Sequence, residues 1–143
     1  LSAIDEIKAR LLEAPTPFSF VRGATALAQV KDRPPGQLPC AYVLAAKDVS
    51  AANERATGSI LQRQERDVLV VYVLEDLGDA EGDAVIDPLE EIKAFGRGRL
   101  IGFVPTDMNE PITHIAGEIA QAVAGTVWFE DTFSAPTYLR ELV

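Results

Sequence analysis

One cysteine, one histidine, one tryptophan and one methionine occur among the 143 residues. A lone cysteine, Cys40, excludes an intrachain disulfide and fits folding in the cytoplasm. One histidine and one cysteine are too few for a Cys- and His-ligated zinc site. Any Ser-His-Asp or Cys-His machinery would have to pass through His114, and no G-x-S-x-G turn accompanies it. Set between Thr113 and Ile115, His114 reads as an ordinary surface or half-buried histidine. No catalytic residue, metal or cofactor is therefore expected. Long apolar runs are also missing, so no transmembrane helix is expected, and no signal peptide is visible at the start. Basic residues are scarce as well. Thirteen Lys and Arg against 22 Asp and Glu give a net charge of −9, which argues against a surface built to grip phosphates. A channel through which DNA slides without sticking remains compatible with that charge.

What is present is a chain long enough for one domain spanning residues 1–143, with ordinary proportions of apolar (48%) and charged (24%) residues. Its start, "LSAIDEIKARLLEAP", predicts an amphipathic helix. Ser2 stands as N-cap, Asp5 and Glu6 lie in the first turn, and Ile4, Ile7 and Leu11 share one face. "FSFVRG" alternates like a short strand, and "ATALAQVKD" predicts a short helix with Ala24, Leu27 and Ala28 on its apolar face. "CAYVLAA" at 40–46 reads as a strand, and the polar stretch 47–59 as a loop. A helix is expected from Asp87 as cap and Pro88 at the first helical position. Val85, Leu89, Ile92, Gly96, Leu100 and Phe103 form its stripe, and a glycine on that stripe points to close backbone packing. "ITHIAGEIAQAVAG" fits a helix through Ile112, Ile115 and Ile119, but a strand and hairpin turn through Gly117 and the Ala-Gly step at 124–125. After it, Val127, Phe129, Asp131 and Phe133 alternate with Trp128, Glu130, Thr132 and Ser134, which is strand periodicity.

Four segments carry candidate function. "GRGRLIG" at 96–102 matches neither a P-loop nor a dinucleotide fingerprint, and basic residues near a helix C-terminus explain it. The run 75–91 holds eight carboxylates and no basic residue. Glu75, Asp76, Asp79, Glu81 and Asp83 are its candidate acidic surface or channel lining, and the run lacks the calcium-loop pattern. The aromatic strand from Trp128 to Tyr138 has acidic neighbours, so sheet packing, with a subunit contact compatible, is favoured over nucleic-acid stacking. The long strand "ILQRQERDVLVVYVLED" is polar from Gln62 to Asp67 and apolar from Val68 to Leu74. Its polar half is expected to leave the globular body as an arm toward solvent or a partner, with backbone groups ready to pair. Asn53, Arg55, Gln62, Arg63, Gln64 and Arg66 are its candidate subunit-interface residues.

The order of these elements, together with "PCAYVL", "TGSILQRQERDVLVVYVL" and "VWFEDTFSAPTYL", resembles the tail terminator proteins of long-tailed phages over nearly the whole chain. The resemblance implies a small α+β domain without catalytic residues. It also implies that the ambiguous segment is a β-hairpin. The expected sheet is mainly antiparallel or mixed, of four to five strands near 40–46, 60–75, 116–122 and 126–134, with two to three helices packed on one face. The implied role is a virion structural protein of the tail or neck, assembled in the host cytoplasm. It forms a ring, usually a hexamer, that caps the tail tube, ends its polymerisation and receives the head. Its expected partners are itself, the tail tube protein and a head-completion or connector protein. DNA only passes through, and no membrane is involved. A head-tail joining protein of related fold is the alternative; a small acidic ligand-binding or regulatory domain is a more distant one.

Overall fold

"LQRQERDVLVVYVLE" becomes the central strand of the sheet. The computed structural model describes residues 2–30, 36–75, 86–123 and 125–141. Helix α1 is Ala3–Leu12, strand β1 Val21–Arg22, helix α2 Ala24–Gln29 and strand β2 Cys40–Ser50. Strand β3 is Leu61–Glu75, helix α3 Ile86–Leu100, strand β4 Thr113–Val123 and strand β5 Thr126–Arg140. The single five-stranded sheet has the order β1-β2-β3-β5-β4. Among the described strands, only the β1–β2 pair is parallel. No described helix is long and apolar enough to cross a membrane.

The apolar half of β3 is buried on both faces because the sheet is covered on both. Val68, Val70, Tyr72 and Leu74 join Ala41 and Val43 of β2 and Phe129 and Phe133 of β5. Helices α1 and α3 cover this face, contributing Ile7, Leu11, Leu89, Ile92 and Leu100. Val71 and Val73 point the other way, toward Cys40, Tyr42 and Trp128, and α2 covers part of that second face. α1 is built as its sequence indicates: the Ser2 hydroxyl accepts from the Asp5 amide at 3.2 Å, and Ile7 and Leu11 are fully buried.

Gly96 is the point of closest approach between α3 and the sheet. A Cβ built there would lie 2.0 Å from the Tyr72 hydroxyl oxygen. Tyr72 is fully buried, stacked on Phe18 with ring centroids 5.9 Å apart. Only a residue without a side chain lets the helix lie on that ring.

The structure corrects four boundaries. Residues 47–50 continue β2 and are not loop; exposed on the surface, they are held by backbone pairing with the polar half of β3 (Lys47↔Asp67 to Ser50↔Gln64). β5 runs to Arg140 for the same reason, pairing with β3 as far as Leu61. Helix α3 begins at Ile86, so Asp87 lies inside its first turn and is not the cap. Val85 of the expected stripe lies outside the described residues, and Phe103 packs on the core from beyond the helix end. The resemblance implied a hairpin over 116–133, and β4 and β5 form one, antiparallel, with Gly125 at φ 80° in its turn.

Candidate functional site

Side chains, not backbone, are what the polar half of β3 offers a partner. The strand was expected to leave the body with donors and acceptors unpaired. Instead β2 pairs along one edge as far as Gln64 and β5 along the other as far as Leu61. Two neighbours pair with the strand, so polar residues on both faces cost little: each long side chain stays partly in water or, as Gln64 does, finds protein hydrogen-bond partners. The result is a three-stranded arm closed by the exposed tip 51–60.

Most of the candidate arm residues hold the arm itself. The Asn53 side-chain oxygen accepts from the amides of Leu61 (3.2 Å) and Arg55 (3.4 Å), which closes the tip. Gln62 donates to the Ala51 carbonyl at 3.0 Å. Gln64 is buried, donates to the Ser50 hydroxyl at 3.2 Å and accepts from Arg66 at 3.0 Å. Arg63 binds Glu65 at 2.8 Å and Glu110 through two N–H groups at 3.0 and 3.3 Å. The Tyr138 hydroxyl adds a third bond to Glu110 at 3.0 Å. Those bonds, from Arg63 first and Tyr138 second, hold the Glu110 carboxyl below the usual glutamate range. Arg55 is exposed, and its guanidinium donates to the Ser59 carbonyl at 3.2 Å. Among the described residues, no carboxylate pairs with Arg55 or Arg66.

Of the candidate acidic surface, Glu75 is placed: it ends β3 opposite Thr126 and is exposed. Asp76, Asp79, Glu81 and Asp83 lie outside the described residues. Among those described, no group of three or more His, Cys, Asp or Glu side chains is placed to hold a metal. Burial raises the Cys40 thiol to about 12, which keeps it neutral and a poor nucleophile.

The strongest electrostatic feature is one that sequence reading passed over. Asp131 is fully buried on the α3 face of β5. Arg97 of α3 grips it with two N–H groups at 3.0 and 3.1 Å, His114 of β4 lies 2.6 Å away through Nε2, and the Tyr72 hydroxyl of β3 donates at 3.2 Å. One carboxylate thus joins α3 and three strands. Burial, then the nearby carboxylate, pushes the Tyr72 phenol well above its ordinary range, so it stays a hydrogen-bond donor. Gly117 opens the path: a Cβ there would meet the Arg97 guanidinium and the Asp131 carboxylate, each at 2.9 Å. The available signal was Asp131 itself, a carboxylate in register with Val127, Phe129 and Phe133. Arg97 and His114, read singly as a helix-end cation and a half-buried histidine, are partners of that one group. Arg99, the other arginine of "GRGR", donates to the carbonyls of Arg10 and Pro15 and ties the end of α3 to the end of α1. The cluster clamps α3 to the sheet.

A second acidic feature lies on the opposite face. Glu118 of β4 stands directly across from Glu130 of β5. No cation pairs with either among the described residues.

No curated protein matches the sequence. Among solved structures, a chain of "Virion of native gene transfer agent (GTA) particle" is 16% identical, with 93% of this chain and 84% of that chain covered and a TM-score of 0.44. That likeness is too distant to carry an argument. The sequence does match a family model, described as phage tail terminator protein, along residues 1–141. Covering the clamp, the arm and both faces of the sheet, this match shows that the chain belongs to the phage tail terminator family and is a structural, tail-capping protein of a virion.

Proposed function

We propose that copies of this chain close into a ring, of six subunits, on the end of the tail tube. The ring ends tube polymerisation and presents its outer surface to a head-completion or connector protein. It works by steric occupation and surface matching and performs no catalysis. Assembly takes place in the host cytoplasm before the ring becomes part of the virion neck. The observation that carries this reading is the family match from residue 1 to residue 141. A cylinder capped by copies of one protein calls for cyclic symmetry and a heterologous contact that closes. The arm suits such a contact: it extends the sheet past the core and offers Arg55 and Arg66 without a carboxylate partner among the described residues. The charge of −9 supports a passage with low affinity for DNA, in which the acidic run 75–91 is the candidate lining.

Shortening the tip tests the arm. Replacing residues 52–59 by a two-residue turn leaves the β2–β3–β5 ladder and the core in place. The shortened protein is expected to unfold within a few degrees of the parent yet fail to form rings or to stop tube growth. Normal capping by the shortened protein would reject the role of the arm, and loss of the fold would show that the tip belongs to the core.

A further inference from the structure

The described residues cover the second face of the sheet only in part. Helix α2 has six residues, and between it and the β4–β5 hairpin lies a groove of about 400 Å³. Leu27, Leu44, Val71, Trp128 and Ala120 line it, with Glu130 among the lining residues. Glu130 is the carboxylate that stands across from Glu118. Two carboxylates directly opposite each other on adjacent strands repel, and no cation of the described chain relieves them. An apolar groove beside two uncompensated carboxylates calls for an occupant with an apolar side chain next to a guanidinium, which meets carboxylates with a planar fork.

The arm tip carries that combination. Ile60 is 44% exposed, and Arg55 pairs with no carboxylate among the described residues. The tip cannot reach the groove of its own chain. Val71 in the groove and Leu61 at the tip are on the same strand, about 33 Å apart at the usual rise per residue. We infer that the groove between α2 and the β4–β5 hairpin receives the arm tip of a second copy, with Arg55 of the incoming tip set against the Glu118–Glu130 pair. The inference rests on the ring reading and specifies its contact. Tip and groove are different surfaces of one chain, so each copy gives one and receives one, which is the heterologous geometry that a ring needs.

Charge reversal on each side, alone and together, tests it. Ring formation is measured by light scattering and negative-stain microscopy over a concentration series, with and without tail tubes. Arg55→Glu alone, and Glu118→Arg with Glu130→Arg, are each expected to raise the concentration for half-assembly by about tenfold or more, because like charges then face each other. The triple variant is expected to recover most of the loss. Circular dichroism and the unfolding midpoint of each variant show that the fold is intact, and a variant that misfolds is replaced by the neutral pair Arg55→Gln and Glu118→Gln with Glu130→Gln, for which a weaker loss in the same direction is expected. Parent protein that forms no ring under either condition overturns the ring reading together with the docking. Parent rings with reversal variants that assemble equally well, or a triple variant that recovers nothing, overturn the docking alone.

Discussion

Replacing Asp131 by alanine is expected to lower the unfolding free energy by about 3 kcal/mol, the low end for breaking an ion pair of which only the carboxylate is fully buried, the Arg97 side chain being 30% exposed. The change leaves the Arg97 guanidinium, the Tyr72 hydroxyl and the His114 ring without the acceptor they share. It also opens a void in a site that is fully buried. Against a total of about 5–15 kcal/mol for a domain of this kind, such a loss is a large share of the stability. Asp131→Asn keeps the shape and drops the charge, so it should fall between the parent and the alanine variant. Urea denaturation at neutral pH measures both. A loss below about 1 kcal/mol for Asp131→Ala would mean that the clamp is not holding α3 to the hairpin.

The second large effect is a contrast between two glycines of α3. An alanine is intrinsically favoured over glycine in a helix by about 1 kcal/mol, so Gly98→Ala, whose Cβ meets nothing within 4 Å, is expected to stabilise by roughly that amount. Gly96→Ala should do the opposite. Its Cβ would sit 2.0 Å from the Tyr72 hydroxyl oxygen and 2.8 Å from the ring carbon that bears it. Tyr72 cannot swing aside, being stacked on Phe18 and bonded to Asp131. Either α3 lifts off the sheet or the clamp breaks, a loss of about 3 kcal/mol, with Gly96→Val worse. Two thermal melts decide the matter: shifts of the same sign for Gly96→Ala and Gly98→Ala would contradict the close approach.

Much of this was legible because local chemistry and tertiary packing agree. Ser2 caps the helix it precedes, the alternation from Val127 to Phe133 maps onto two faces, and Gly96 on an apolar stripe marks a contact. Where legibility failed, the reasons are physical. Residues 47–50 look like loop because strand pairing there depends on a partner segment and not on burial. The Ile112, Ile115 and Ile119 spacing imitates a helix because β4 carries two irregularities, between His114 and Ala116 and between Ile119 and Gln121. The first falls at Ile115 itself, Ile112 lies before the strand, and the step of four from Ile115 to Ile119 is shared by helix and strand, so the spacing fits both. Ile115 and Ile119 are 52% and 60% exposed at the sheet edge, so neither marks a core face. The Asp131 clamp draws on four elements, and no local window holds more than one of its members. The proposed assembly surface is the least legible, because a residue that would face a second copy has no local signature.

Negative-stain microscopy of the purified protein mixed with growing tail tubes is the most direct test of a ring-forming cap. The expected image is a single annulus with a central hole at one end of each tube, on tubes that have stopped lengthening. Tubes that continue to grow with bare ends in the presence of excess folded protein would contradict it.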